Sequence, residues 1–192
     1  MKKRVAILIS GRGSNMRALL EAAASPDYPA AIVLVLSNRP DAAGLDVARA
    51  AGVEAIAIDH KLYGRDREAH ETAIQQVLLE QRIEIVCLAG YMRKLTPFLV
   101  QAWAGRMLNI HPSLLPAFPG VDTHARALAA HATEHGCTVH LVTEAVDEGP
   151  IIDQARVPVL PGDDEASLAA RVLEQEHLLY PRALKTLIER MG

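Results

Sequence analysis

An amide and an imidazole stand two residues apart near the middle of the sequence, at Asn109 and His111. The apolar residues around them predict a short strand, and on an extended backbone such side chains point to the same side. Pro112 follows at once, and later prolines prevent a helix or central strand from continuing. This pair suits acid–base chemistry on a carbonyl group. The alternative is a histidine that only caps backbone groups.

A carboxylate that could join this pair is Asp147, at another transition from strand to loop beside Gly149 and Pro150. A carboxylate next to an imidazole favours the imidazolium, the form that donates a proton near neutral pH. Spacing alone favours a simpler interpretation, in which Asp147 makes an Asx hydrogen bond in a turn.

Residues 10–15, Ser-Gly-Arg-Gly-Ser-Asn, form a glycine loop between a predicted strand and a predicted helix. Such glycines let backbone N–H groups turn toward an anion at the positive end of the helix. The dinucleotide fingerprint needs a third glycine where Met16 stands and an acidic residue where Ser37 and Asn38 stand, and a Walker lysine is absent. The glycine loop therefore favours a phosphate over NAD or ATP, and a purely structural turn is the alternative.

Residues 89–95, Ala-Gly-Tyr-Met-Arg-Lys-Leu, form a second loop after a buried-looking strand. In open α/β sheets ligands lie beyond the carboxyl ends of the strands, which favours a binding role. The alternative is that Tyr91 and Met92 pack under the next helix, which begins near Pro97.

The elements that must position these segments alternate between strand and helix, which predicts βαβ units and a parallel sheet. Strands are predicted at residues 4–9, 31–36, 53–58, 83–88, 138–143 and 151–159, the last as an edge strand because of Pro158, and a short strand begins at residue 107 and carries Asn109 and His111. Helices are predicted at residues 42–51, 65–81 and 123–132, with one more directly after the glycine loop. The apolar face of the 65–81 helix is predicted to hold Ala69, Ala73, Val77 and Leu78. A final helix starts near residue 163, and Tyr180-Pro181 is expected to kink or divide it.

Composition excludes several classes of protein. The chain has 192 residues, of which 50% are hydrophobic and 22% charged, with a net charge of −3, as in ordinary globular proteins. That charge gives no general attraction to nucleic acid or to an anionic membrane, and no apolar run approaches the length of a membrane span. The distant Cys87 and Cys137 are expected to be reduced structural thiols, and the location cytoplasmic.

Four motifs occur in one order: the glycine loop, Leu88-Ala89-Gly90-Tyr91-Met92-Arg93, Asn109-Ile110-His111-Pro112-Ser113-Leu114-Leu115-Pro116 and Asp147-Glu148-Gly149-Pro150. Together they resemble the folate-dependent formyltransferases, and most closely the branch that acts on glycinamide ribonucleotide. The resemblance runs from about residue 4 to residue 181. It implies a Rossmann-like α/β fold with a mostly parallel seven-stranded sheet, flanked by helices on both faces.

The resemblance also implies a reaction and its residues. The formyl group of 10-formyltetrahydrofolate would pass to the primary amine of 5′-phosphoribosylglycinamide, in de novo purine biosynthesis and without a metal. The implied residues are Gly13, Ser14 and Asn15 for the phosphate, Glu176 for the glycinamide end, Arg67, Met92, Arg93, Lys94, Leu95 and Asn109 for the folate, and Asn109, His111 and Asp147 for catalysis. Residues 1–192 would form one domain, with a phosphate-binding half over about 1–105 and a catalytic and folate-binding half over about 106–192. Its partners would be small molecules, without nucleic acid or membrane, and the protein a monomer or weak homodimer.

Three departures from the family pattern stand out: Arg12 where many relatives carry Asn, Leu173 where relatives often carry a polar residue, and the Val121-Asp122-Thr123-His124 run. Three other functions stay open. Formyltransferases acting on methionyl-tRNA usually carry a C-terminal domain, and formyltetrahydrofolate hydrolases an N-terminal regulatory domain, neither of which we expect here. A non-catalytic nucleotide-binding module is the third.

Overall fold

A computed structural model describes all 192 residues as an α/β fold built on one seven-stranded sheet. The strands are β1 Lys3–Ile9, β2 Ala30–Ser37, β3 Glu54–Ala57, β4 Ile85–Leu88, β5 Met107–His111, β6 Glu134–Leu141 and β7 Ile151–Pro158. The helices are α1 Ser14–Ala23, α2 Gly44–Ala50, α3 Arg67–Glu80, α4 Pro97–Ala102, α5 Thr123–Ala129 and α6 Glu165–Arg190, with a 3₁₀ turn at His60–Tyr63.

The strand order is β3-β2-β1-β4-β5-β6-β7. The pairs from β3 to β5 are parallel, whereas β5 with β6 and β6 with β7 are antiparallel. The predicted fold class, a mostly parallel seven-stranded sheet, is confirmed, and β7 lies at an edge as its proline suggested. Because β1, β4 and β5 are parallel neighbours, the segments that follow them leave the sheet at the same edge.

The sheet is covered on both faces, and β1 shows why its sequence is continuously apolar. Val5, Ile7 and Ile9 pack in one hydrophobic cluster with α1, α2, α5 and α6. Ala6 and Leu8 pack in a second cluster with α3 and α4. Alternate side chains of a strand point to opposite faces, so a strand covered on both sides needs apolar residues throughout.

The predicted apolar face of α3 is correct only in part. Leu78 is buried and Val77 packs against the second cluster, whereas Ala69 is exposed and His70, Glu71 and Ile74 are buried as well. The proline at position 181 does not divide α6, which continues through it. The hydroxyl of the fully buried Tyr180 donates to the carbonyl of Leu88 at 2.9 Å, which holds this part of the helix against the sheet.

Other sequence predictions concern the cysteines and membrane spans. Cys87 and Cys137 are free and buried, as expected for structural thiols. No helix combines the length and the apolar character that crossing a bilayer requires.

Candidate active site

The glycine loop connects β1 to the first turn of α1. Gly13 adopts φ +72°, a conformation that favours glycine, and a Cβ atom there would lie 2.9 Å from Cε of Met16, so the flexible end of that side chain would have to shift. The first N–H groups of a helix have no partner inside the helix, and they lie at its positive end. The loop thus presents backbone donors at the sheet edge.

A cleft of about 520 Å³ opens over this loop, and we call it the anion cleft. Gly13, Ser14 and Asn15 line it together with three guanidinium groups, those of Arg12, Arg39 and Arg93. Arg39 is paired with Asp41 at 2.9 Å, whereas no salt bridge engages Arg12 or Arg93. Backbone donors and guanidinium groups in one cleft suit a phosphate monoester.

Asn15 and Glu176 meet behind the anion cleft, although they stand far apart in the sequence. The Asn15 amide donates to a Glu176 carboxylate oxygen at 2.7 Å, and its own oxygen has no partner. Burial raises the pKa of Glu176 to about 6, and the hydrogen bond from Asn15 opposes that rise. The side-chain amide N–H of Asn15 is therefore bound to Glu176. The backbone N–H of Asn15, in the first turn of α1, remains for an anion.

A second cleft, of about 420 Å³, lies beside the first, and we call it the apolar cleft. Met92, Arg93, Lys94, Leu95 and Asn109 line it. Exposed apolar side chains form part of its wall: Met92 is 82% exposed, Val121 77% and Val146 52%. Such exposed apolar side chains beside cations suit a flat, partly apolar ligand that carries negative charge.

Of the predicted residues for this cleft, Arg67 is placed differently. It lies in the first turn of α3 and does not line the cleft, and its guanidinium stands 3.5 Å from the carbonyl oxygen of Lys94. That distance is at the limit of a hydrogen bond. Arg67 is exposed beside the 89–95 loop.

Asn109 and His111 lie on β5, beside the antiparallel β6. The register pairs Asn109 with His140 and His111 with Thr138, so these four side chains share one face of the sheet. His111 is buried, with 6% of its surface exposed. The two residues singled out from the sequence are thus neighbours, and a second histidine joins them.

Asp147 comes to His111, although 36 positions separate them in the sequence. One Asp147 oxygen lies 3.5 Å from His111 Nδ1 and accepts the N–H of Gly120 at 2.8 Å. His111 Nε2 faces the carbonyl oxygen of Phe118 at 3.0 Å. Both ring nitrogens therefore face oxygen acceptors, and the imidazolium is the form with two donors for them.

His140 is the residue that the sequence did not assign to this site. Its Nδ1 lies 3.0 Å from the carbonyl oxygen of Leu141, which places the ring proton there in the neutral form. Burial lowers the pKa of His140, against smaller opposing effects of the Leu141 carbonyl and the Asp147 carboxylate. The free Nε2 can then accept from the Asn109 amide, 3.4 Å away, and so orient it.

Glu71 is a second residue that the sequence did not assign. Only 3% of its surface is exposed. Its carboxylate accepts the backbone N–H of Thr96 at 2.8 Å and the Thr96 hydroxyl at 2.5 Å. Thr96 follows the 89–95 loop directly, so α3 fixes the end of the segment that lines the apolar cleft. Glu71 and Thr96 belong to no sequence motif, so their contact could not be predicted from their spacing.

Two of the departures from the family pattern, Arg12 and Leu173, lie together. Both line a further cleft between α1 and α6, and Arg12 also lines the anion cleft. Leu173 is 37% exposed, and neither Asn109, His111 nor Asp147 lines that cleft.

Comparison with known proteins gives consistent matches. The family model described as "Formyl transferase" matches residues 3–184. A crystal structure of phosphoribosylglycinamide formyltransferase from Brucella melitensis is 54% identical, with a TM-score of 0.92, and the match covers 96% of this chain and 95% of that one. The phosphoribosylglycinamide formyltransferase of Haemophilus influenzae is 43% identical over 97% of this chain and 88% of its own length.

Longer relatives also match. The human trifunctional purine biosynthetic protein adenosine-3 is 51% identical over 184 residues, which is 96% of this chain and 18% of that protein. The chain spans only about 14 to 18% of the length of such trifunctional relatives.

Proposed function

The chain belongs to the formyl transferase family. From that premise we propose that it transfers the formyl group of 10-formyltetrahydrofolate to the primary amine of 5′-phosphoribosylglycinamide, giving the N-formyl product of de novo purine biosynthesis. One observation carries the proposal: Asn109 and Asp147 line the apolar cleft, with His111 3.5 Å from Asp147, and this cleft shares Met92 and Arg93 with the anion cleft. A phosphate-bearing amine and a flat anionic donor each have a cleft of matching chemistry.

Asn109 provides one donor for the formyl oxygen, and His111 provides a second when its Nε2–H turns from the Phe118 carbonyl to this oxygen. When the amine attacks the formyl carbon, that oxygen gains negative charge, and fixed donors in a buried site stabilise it. His140 accepts one N–H of the Asn109 amide, which leaves the other for this oxygen. Each such donor is typically worth about 3–4 kcal/mol in the transition state.

A proton must also move, because the attacking amine loses one and the departing N10 of the folate gains one. The new N–C bond forms first, and the C–N10 bond breaks when the resulting tetrahedral intermediate collapses, so no oxidant or reductant is involved. His111 acts as the acid, and Asp147 favours its protonated form from 3.5 Å. His111 can therefore deliver the proton, directly or through a water.

The remaining assignments follow from the clefts. Gly13, Ser14 and Asn15 hold the substrate phosphate through their backbone N–H groups. Glu176, behind Asn15, attracts the glycinamide end. Met92, Arg93, Lys94, Leu95 and Asn109 bind the folate, and Arg67 contacts the far end of a long folate tail. We further propose a cytoplasmic monomer or weak homodimer in which residues 1–105 hold the phosphate and residues 106–192 complete the catalytic and folate site.

The test is an assay of the purified protein with both substrates. We expect formylation of 5′-phosphoribosylglycinamide at the expense of 10-formyltetrahydrofolate, with little folate hydrolysis when the amine is left out. Release of formate at the same rate with and without the amine would instead identify a hydrolase. The absence of both reactions would contradict the proposal.

A first variant tests the anchor of the 89–95 loop. Glu71→Ala leaves two donors of Thr96 without their acceptor, and hydrogen bonds to charged groups are typically worth about 1.5–3 kcal/mol. We expect the KM for 10-formyltetrahydrofolate to rise about tenfold, corresponding to about 1.4 kcal/mol, while the KM for the amine substrate changes less than about twofold. Glu80→Ala, an exposed position on the same helix, is the control. An equal rise of both KM values in Glu71→Ala would contradict this role.

A second variant tests Glu176. The folded carboxyl keeps its proton to about pH 6, whereas the unfolded one loses it near 4.5, so stability falls as the pH rises through this window. Glu176→Gln removes that loss. We expect its free energy of unfolding in urea to exceed that of the parent by about 1–2 kcal/mol at pH 8 and to match it at pH 4.

The matched control for this experiment is Glu174→Gln, two residues away on the exposed side of α6. Glu176→Gln is also expected to raise the KM for the amine substrate, because the attracting charge is lost. If Glu176→Gln gains no stability at pH 8, burial of the charged Glu176 carboxylate does not lower the free energy of unfolding.

A further inference from the structure

Ser10, the first residue of the glycine loop, is joined to the 89–95 loop by two hydrogen bonds that run in opposite directions. The Ser10 N–H donates to the carbonyl of Gly90 at 3.1 Å. The Met92 N–H donates to the Ser10 hydroxyl at 2.8 Å. One small residue, through its backbone N–H and its hydroxyl, therefore connects the backbone that lines the anion cleft to the backbone that lines the apolar cleft.

The orientation of the Ser10 hydroxyl is fixed by a hydrogen bond to Asn38. Ser10 donates its own proton to the side-chain oxygen of Asn38, at the end of β2. The Asn38 carbonyl accepts from the backbone of His60 at 3.2 Å, so the partner is itself held. Ser10 and Asn38 are buried, at 5% and 2% exposure. With the proton committed to Asn38, a lone pair of the hydroxyl is left for Met92.

The two clefts share more than this contact. Met92 and Arg93 line both of them, and Met92 is the residue whose N–H the Ser10 hydroxyl receives. A ligand in the anion cleft and a ligand in the apolar cleft would therefore contact one hydrogen-bonded backbone unit. Any ordering of this unit by the first ligand lowers the entropy that the second ligand must remove.

We propose that Ser10 is a positioning residue through which the two substrates strengthen each other's binding. The inference rests on the proposed function, because that function assigns the amine substrate to the anion cleft and the folate to the apolar cleft. Asn109, His111 and Asp147 do not take part in this link, so it concerns the assembly of the ternary complex and not the proton transfer.

The test uses a pair of ligands that cannot react, 5′-phosphoribosylglycinamide and tetrahydrofolate. Calorimetric titration gives the Kd of each ligand alone and in the presence of a saturating amount of the other. The ratio of the two Kd values is the coupling factor, and linkage requires the same factor for both ligands. We expect a factor of about five or more for the parent protein. We expect it to fall at least threefold in Ser10→Ala.

Two further variants make the result specific. Ser10→Cys keeps the size of the side chain but offers a weak acceptor, so it should lose coupling as Ser10→Ala does. Ser37→Ala removes another fully buried hydroxyl, which accepts the Arg39 N–H and does not touch the 89–95 loop, and should keep the parental factor. Urea unfolding shows which variants are folded. If Ser10→Ala does not fold, Ser10→Cys alone tests the role of the hydroxyl.

The outcomes separate the inference from the function on which it rests. Equal coupling factors in the parent, Ser10→Cys and Ser10→Ala would overturn the role of Ser10, and so would a parent factor near one. Loss of both affinities in the Ser10 variants with an unchanged ratio would show a merely structural residue. If neither ligand binds the parent protein, the proposed function itself fails.

Discussion

Replacing His111 with asparagine is expected to lower kcat about a thousandfold with both substrates saturating. Asparagine keeps a polar group of similar size but cannot carry the proton that the departing folate nitrogen needs. General acid–base groups typically contribute about 10²–10⁴-fold, and one oxyanion donor about 10²–10³-fold. The KM values should change little, because the loss falls on the transition state. Initial-rate kinetics measure this directly.

The controls show whether the variant is folded and whether the loss of any histidine lowers activity. His131 lies exposed after α5 at a φ of +50°, a conformation that asparagine tolerates. His131→Asn should therefore keep parental kinetics. His111→Ala should lose as much activity as His111→Asn and remain folded by urea titration. Turnover of His111→Asn within tenfold of the parent would remove His111 from the mechanism.

The sheet could be predicted from the sequence because its inner strands are buried on both faces. Such strands are continuous apolar runs, and β1 at Lys3–Ile9 is an example. The face of α3 could be predicted only in part, because beside Leu78 it buries His70 and Glu71, which hydrogen-bond to the carbonyl of Ile58 and to Thr96. A polar side chain can be buried where it finds a hydrogen-bond partner, and which partner lies near it depends on the tertiary fold.

The same distinction applies to the candidate site. Asn109 and His111 are two apart on one strand, so local geometry alone places them on one side. His140 faces Asn109 only because β6 runs antiparallel to β5 in one particular register. A shift of that register by one residue would turn His140 to the other face. No spacing in the sequence carries this information.

Asp147 shows a third case, in which a loop is positioned by an unusual backbone. Its φ is +58°, and its side chain accepts the N–H of Gly120 from the segment that follows His111. Aspartate and asparagine are among the few residues besides glycine that adopt this conformation readily. The turn predicted at Asp147 and its approach to His111 are therefore compatible, although spacing had favoured the turn alone.

This backbone makes Asp147→Asn a clean removal of charge. Asparagine tolerates the positive φ, and its side-chain oxygen can still accept from Gly120. What disappears is the negative charge 3.5 Å from His111 Nδ1. We expect kcat at pH 8 to fall about a hundredfold, within the range of acid–base contributions.

The pH dependence shows whether this loss acts through His111. A carboxylate next to an imidazole stabilises the imidazolium, and Asp147→Asn removes that stabilisation. The alkaline limb of the kcat profile should therefore move to lower pH in Asp147→Asn, and the deficit should be smaller at pH 6 than at pH 8. Asp153→Asn, which removes the carboxylate paired with Arg182 at 2.6 Å, is the control and should keep the parental profile. An Asp147→Asn enzyme that is slow but has an unshifted profile would mean that Asp147 only holds the loop at Gly120, and that another group sets the protonation of His111.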